Sequence, residues 1–233
     1  MCSFKNKIAT KKEIAAHYDR GNDFFRAFLG PRMVYTSGVY YDKPSWSKPG
    51  KTAGYGEQVG GTTLEEAQDN KMSLICEKLQ LKKGDEYLDI GCGWGTLMRH
   101  GAREFGAKSV GVTLSVEGAK WCNAQIEAEG ISDTAEILCC DYRDIPKERK
   151  FQAISAIEMA EHVGIANFQL FLGNIYNMLE VRGSSRFAVH FPLIVGKQYM
   201  SLLRVHLLLR QDDGTYLMQV SLMHEFCNVS VRK

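Results

Sequence analysis

At 233 residues with 45% apolar side chains, the chain is long enough for one sizeable α/β core, and a formal net charge of +2 excludes a dedicated nucleic-acid binder, which carries a larger basic excess on one face. Seven cysteines, an odd number with no Cys-x-x-Cys pair, read as a reducing compartment and argue against both a disulfide framework and a zinc site. The start Met-Cys-Ser-Phe-Lys lacks a secretory apolar stretch and no run reaches the roughly 18 apolar residues of a membrane span, so the expectation is a cytoplasmic or peripheral protein whose partners are small molecules or lipids.

Residues 1–61 predict a helical, lid-like segment followed by a loop. Lys5, Lys7, Lys11 and Lys12 precede the aromatic stretch Phe24, Phe25, Phe28 and Leu29, a pattern compatible either with contact to an anionic membrane surface or with an ordinary solvated helix. Pro44 to Gly61, rich in Pro, Gly, Ser and Lys, reads as a surface loop. Thr63 and Glu66 then have capping-box spacing ahead of Leu64, Ala67, Met72, Ile75 and Leu79, which recur at near-helical intervals. Residues 62–221 predict the core, where short strand-like runs alternate with helix-like ones as in a parallel sheet wound by crossover helices. Strands are expected at Glu86 to Ile90, Ser109 to Thr113, Ala135 to Leu138 and Phe151 to Ile157, with helices at Thr96 to Phe105, Glu117 to Glu129 and Asn167 to Leu179. A last strand, Thr215 to Ser221, follows the turn Asp212-Asp213-Gly214, and 222–233 is an unassigned tail.

The strongest signal is Asp89-Ile90-Gly91-Cys92-Gly93-Trp94-Gly95, where a buried strand hands over to a helix. Alternate glycines let the backbone turn tightly and approach a ligand, and the new helix presents free amides there. A dinucleotide fingerprint needs glycine at Thr96 and an acid at the end of the second strand, where Gly111-Val112-Thr113 stands instead. Asp89 suits another ligand, since a carboxylate just before the glycines can hold the ammonium of an amino-acid-bearing cofactor. That chemistry points to S-adenosylmethionine.

The loop, with His17-Tyr18-Asp19, Asn22-Asp23-Phe24-Phe25, Tyr35-Thr36-Ser37, Leu64-Glu65-Glu66-Ala67-Gln68, Gly111-Val112-Thr113-Leu114-Ser115, Asp141-Tyr142-Arg143-Asp144 and Glu161-His162-Val163-Gly164, resembles the cyclopropane fatty acid synthase family, and most nearly its sphingolipid C9-methyltransferase branch. The resemblance runs over roughly residues 13 to 180 and resumes at 212 to 221. It implies a Rossmann-like class I methyltransferase of α/β class: a mostly parallel sheet with helices on both faces, an N-terminal helical lid and S-adenosylmethionine as cofactor.

By that resemblance, Tyr35 and Thr36 contact the methyl donor from the lid, and Gly91, Cys92, Gly93 and Gly95 line its amino-acid portion. Thr113 and Leu114 fall near the ribose, and Asp141 and Tyr142 border the adenine. On residue type alone, without the resemblance, Tyr142 reads first as a half-buried core aromatic, and His162 as a structural histidine. Glu161 matches the family's active-site glutamate, which holds bicarbonate in the cyclopropane enzymes. Two positions depart from the family: its bicarbonate-binding cysteine falls at Ser37 and its fifth-strand histidine at Gln219. Both replacements keep hydrogen-bonding capacity but supply neither thiolate nor imidazole.

The implied reaction is methyl transfer to a carbon-carbon double bond of a lipid chain, a sphingoid base or an acyl chain. An alkene is a weak nucleophile, so the task is alignment and exclusion of water. The carbocation left by attack is stabilised by aromatic faces, here Phe24, Tyr35, Tyr40 and Tyr41, at about 0.5 to 2 kcal/mol each. A base, assigned to Glu161, then removes a proton: loss from the added methyl closes a cyclopropane, and loss from the chain leaves a methyl-branched alkene.

Val181 to Gln211 fits neither the strand-helix alternation nor the family, where the helix ending at Leu179-Glu180 leads almost directly to the Asp-Asp-Gly turn. Two readings stand, a translated intron and a genuine insertion. The resemblance ends again after Ser221, which makes a truncated sheet the expectation and leaves a cofactor-binding remnant as an alternative to an enzyme.

Overall fold

The computed structural model describes Tyr18 and residues 20–40, 62–163, 165–180, 185–193, 203–212, 215–222 and 227–231, with the last four stretches of strand, and Glu161, Ile165 and Ala166, described through the backbone alone. The Pro44 to Gly61 loop and Tyr41 lie outside these residues.

A short helix α1 (Asn22–Leu29) opens the described chain, burying Phe25 and Leu29 four positions apart while Phe24 and Phe28 face outward. Helix α2 (Leu64–Lys78) begins with the capping box that the sequence spacing predicts, the Thr63 side chain accepting from the Glu66 amide at 3.2 Å and the Thr63 amide donating back to Glu66 at 2.7 Å. Strands and helices then alternate: β1 (Glu86–Ile90), α3 (Thr96–Phe105), β2 (Lys108–Thr113), α4 (Val116–Ala128), β3 (Ala135–Cys139), β4 (Ala153–Ile157) and α5 (Ile165–Met178). The first four strands pair in parallel in the order β3-β2-β1-β4, so chain order reverses beside β1. In such sheets a crevice opens beyond the carboxyl ends of the strands at that reversal.

Alternation along β1 decides which face each side chain meets. Leu88 and Ile90 pack with Val110, Val112, Ile154 and the Phe171 and Ile175 side of α5. Tyr87 points the other way, into a second core formed by Ile75 of α2 and its C-cap Leu79, Met98 of α3 and Cys122 and Ile126 of α4. Helices therefore cover both faces. Asp89 shares the Tyr87 side, which puts a carboxylate at 3% exposure where α2, α3 and α4 converge.

The C-terminal part departs from the sequence reading. Ser185–Leu193 forms β5, parallel to β4, and Leu203–Asp212 forms β6, antiparallel to β5. Residues read as breaking the alternation thus supply two strands. Their runs Phe187-Ala188-Val189 and Val205-His206-Leu207-Leu208-Leu209 have strand character, and β4 offers an edge to the first apolar run that follows α5. Thr215–Leu222, expected as the fifth strand, becomes β7, antiparallel to β6, and Cys227–Val231 of the unassigned tail pairs with it as β8. The sheet order is β3-β2-β1-β4-β5-β6-β7-β8.

Candidate cofactor and active site

The crevice beyond β1 and β4 holds a cavity of about 290 Å³, near the lower end of the range for small-molecule sites. Its floor is the turn from β1 into α3. Gly91 and Cys92 donate their amides to the Val112 carbonyl at 2.9 and 3.0 Å, and Gly95 donates to Cys92 at 2.8 Å, which closes the turn. Gly91 (φ 72°) and Gly93 (φ 57°) both occupy the left-handed region, but differ in the space around them. A Cβ on Gly91 would fall 2.5 Å from Met159 Cγ, whereas one on Gly93 would meet nothing within 4 Å.

Asp89 lines the floor. Its Oδ1 accepts the Ser155 hydroxyl at 2.6 Å, and Ser155 is joined in turn to the Tyr87 hydroxyl at 2.7 Å. Burial pushes Asp89 up to about 7, against the opposing influences of the Ser155 hydrogen bond and the Lys71 ammonium. Lys71, on α2, lines the same cavity at 6% exposure. Cys92 is also pushed up, first by burial and next by the charge on Asp89.

Thr113, the last residue of β2, and Leu114 just after it form another wall. Asp141 and Tyr142, beyond β3, form the far one. Arg143 holds Asp141 through Nε to Oδ1 at 2.8 Å, Nη2 to Oδ2 at 2.5 Å and its backbone amide to Oδ1 at 2.9 Å. Tyr142 meets Phe171 edge-on at 5.8 Å between ring centroids, and burial raises its hydroxyl above the ordinary value.

The fourth side comes from residues that precede the core in sequence. A strap following α1 is fastened by the Val39 amide to the Ala67 carbonyl at 2.7 Å, Asn70 to the Val39 carbonyl at 3.3 Å and Thr96 to the Arg32 carbonyl at 2.9 Å. An Arg32–Asp69 ion pair at 2.6 Å adds a side-chain tie. These bonds bring Met33, Val34, Tyr35 and Thr36 to the cavity. Apolar Met72, Ile75, Leu97, Met159, Leu170 and Phe171 complete it, so a polar floor adjoins an oily wall.

Of the residues singled out from sequence, Tyr35, Thr36, Asp89, Gly91, Cys92 and Gly93 meet in this one cavity, as do Thr113, Leu114, Asp141 and Tyr142. Gly95 sits behind it as the N-cap of α3. Ser37 is adjacent to the lining residue Thr36, with its hydroxyl oxygen buried and no partner among the described residues. Glu161 lies in the 3-10 turn Ala160–His162 just past β4, and His162 lines the cavity. Gln219 lies on β7, paired with Leu208 and Ser230 and separated from β4 by β5 and β6. Sequence reasoning missed Lys71, Ser155 and Met159. Lys71 carried a usable signal: it lies four positions after Ala67 and four before Ile75, so a lysine interrupts the buried stripe of α2.

The family model for mycolic acid cyclopropane synthetase matches residues 5–208. The chain belongs to this family. It is 45% identical over 175 residues to sphingolipid C9-methyltransferase 1 of Gibberella zeae, an alignment covering 75% of this chain and 31% of that one. A probable fatty acid methyltransferase of Mycobacterium tuberculosis is 40% identical over 178 residues, covering 76% of this chain and 37% of that protein. Among solved structures, the cyclopropane synthase MmaA2 of M. tuberculosis superposes with a TM-score of 0.66 at 27% identity over 78% of this chain and 56% of its own. The mycolic acid cyclopropane synthase CmaA1, solved with SAH and CTAB, gives 0.64 at 27% identity over 80% of this chain and 57% of its own. The chain spans about a third of the length of the sphingolipid methyltransferases it matches.

Proposed function

We propose that this chain forms the cofactor-binding part of an S-adenosylmethionine-dependent C-methyltransferase acting on the carbon-carbon double bond of a lipid chain, with the sphingoid base of a sphingolipid as substrate. The observation that carries the reading is the juxtaposition of Asp89 and the open glycine turn with an apolar wall inside one cavity. The residues fit the cofactor: a buried carboxylate suits an α-ammonium, the space over Gly93 admits the amino-acid portion, and flat Tyr142 suits a base. Thr113 at the end of β2 hydrogen-bonds as a hydroxyl, so a ribose there needs no acid. The names of the relatives support lipid methylation, and the SAH and CTAB in CmaA1 pair such a cofactor with a long-chain amphiphile.

When bound, the cofactor supplies an electrophilic methyl group on a sulfonium. The chain's own residues have three tasks. Asp89 and the glycine turn fix the donor end, and Tyr35 and Thr36 close over it from the strap, which is the alignment and water exclusion a weak nucleophile demands. The Tyr35 face stabilises positive charge developing on the lipid chain. Glu161, past the end of β4, accepts the proton that is lost, with Ser37 as a hydrogen-bonding group beside the cavity. Gln219, on β7, has no part in this assignment.

The test incubates the full chain with S-adenosylmethionine and sphingolipid-bearing vesicles and follows the lipid by mass spectrometry. The expected product gains one CH₂ and still takes up hydrogen across a double bond. A product that resists hydrogenation assigns cyclopropanation instead. Calorimetric binding of S-adenosylmethionine without any product on sphingolipid or phospholipid points to a cofactor-binding remnant, and absence of binding removes the reading.

A further inference from the structure

A buried lysine demands an explanation that a surface one does not. Lys71 is 6% exposed and lines the cavity from α2, on the helix face that also carries Met72 and Ile75. Nothing in the proposed chemistry uses it directly. Burying an ammonium among apolar side chains is unfavourable unless a negative charge compensates it, and such groups concentrate where a site needs charge held in place. Asp89, itself 3% exposed, lines the same cavity and is a carboxylate on which the Lys71 charge acts.

The surroundings of Asp89 make the role of Lys71 specific. Its carboxylate is felt by the Cys76 thiol of α2, by Tyr87 on β1, by Cys92 in the glycine turn and by Cys122 on α4, and it accepts the Ser155 hydroxyl of β4. Each of these thiols and the phenol becomes negative if it ionises at all, so none can favour an anionic Asp89. Among these described neighbours Lys71 is the one cation, and its charge acts on Asp89 in the direction that favours the anion. A protonated Asp89 would have nothing to offer an α-ammonium except a neutral acceptor.

We propose that Lys71 is a positioning residue for the cofactor site: its ammonium, fixed on α2, is the counter-charge that holds Asp89 as the carboxylate an amino-acid ammonium requires. This rests on the reading of the cavity as an S-adenosylmethionine site and goes beyond it by naming what makes that site anionic. Lys71 acts through Asp89, and removing its charge moves the pH range over which the cofactor binds.

The experiment titrates S-adenosylhomocysteine calorimetrically into the full chain from about pH 5.5 to about pH 8, for wild type, Lys71→Met and Lys71→Arg, with circular dichroism to verify folding. Wild-type affinity falls as pH drops through the region of 7, where Asp89 gains its proton. Lys71→Met raises the midpoint of that fall by about one pH unit and weakens binding at pH 7 by about tenfold. Lys71→Arg keeps the charge and retains the wild-type midpoint. A Lys71→Met profile superimposable on wild type overturns the inference, as does an equal loss at every pH in both variants, which marks a packing role. If Lys71→Met fails to fold, a Lys71→Arg midpoint displaced upward overturns it on its own. Failure of wild type to bind at all is a different result: it removes the cofactor reading on which the inference stands.

Discussion

The Trp94 indole donates to Asn22 Oδ1 at 2.7 Å across 72 positions of sequence, joining the glycine turn to the first turn of α1. Asn22 also donates its amide nitrogen to the Glu117 carbonyl at the start of α4 at 3.0 Å, so one side chain ties lid, turn and core together. Trp94 is 3% exposed and packs on Phe25 at 4.8 Å between ring centroids. Removal of Asn22 strands a buried indole N–H.

Asn22→Ala is therefore expected to lower stability by about 1–3 kcal/mol, the scale of an unsatisfied buried donor, and to open the segment 20–40 to limited proteolysis. Urea denaturation combined with mass mapping of the first tryptic cuts reads both. Unchanged stability together with unchanged cleavage kinetics sinks the idea that this bond fastens the lid.

Asp89 makes stability and binding oppose one another. Its ordinary value is 3.8 and its folded value is raised to about 7 by burial. A raised acid stabilises the fold fully below its unfolded value, and that contribution is lost as pH rises through the folded value. The cofactor-free wild type should thus lose stability between about pH 4 and pH 7 at this position. Asp89→Asn, which keeps an acceptor for Ser155 without the charge, should be more stable than wild type at pH 8, on the order of a few kcal/mol, and indistinguishable at pH 4. It should also bind S-adenosylhomocysteine at least about tenfold more weakly at pH 8. Melting curves at the two pH values check the first half, and a variant less stable than wild type at pH 8 contradicts it.

Why some of this was legible in the sequence and some was not follows from range. The helix Thr96–Phe105 and strand Glu86–Ile90 coincide with the sequence reading because their limits are set locally, by the glycine turn on one side and Gly106 on the other. The capping box before α2 is likewise written in four consecutive residues. The interruption of the α2 stripe by Lys71 is legible locally, but its meaning is not, because that depends on Asp89, 18 positions on, and on a fold that brings α2 over β1. The pairing of the outer strands was not legible for a related reason: which apolar run pairs with β4 is a competition among Ser185–Leu193, Leu203–Asp212 and Thr215–Leu222, and alternation within each run cannot rank them.

The two glycines of the turn separate folding from binding. Gly91→Ala drives a methyl into Met159 on top of an unfavourable φ of 72°, so it should destabilise by more than the roughly 1 kcal/mol of left-handed strain alone. Gly93→Ala has open space around the new methyl and should incur little beyond that strain. The methyl would nevertheless occupy cavity volume, so binding of S-adenosylhomocysteine should fall by at least about tenfold in a protein that melts close to wild type. Comparison of melting temperature with calorimetric affinity in both variants distinguishes the two cases. Equal effects of the two substitutions on both quantities would count against this division of labour.

Arg143 is the residue whose geometry, more than its charge, should matter. Its guanidinium grips Asp141 through two nitrogens at 2.8 and 2.5 Å and lies 5.9 Å from the Tyr142 ring centroid, so one fork orients both groups assigned to the adenine edge. Lysine preserves the charge but offers a single ammonium in place of a planar pair of donors, and a bidentate contact is not replaced by a point charge. Arg143→Lys is accordingly expected to weaken S-adenosylhomocysteine binding nearly as much as Arg143→Ala, each by about tenfold, while circular dichroism stays unchanged because the contact lies at the cavity and not in the sheet. If Arg143→Lys binds like wild type, charge alone suffices at this position. Asp141 then needs no oriented partner to shape the far wall of the cavity.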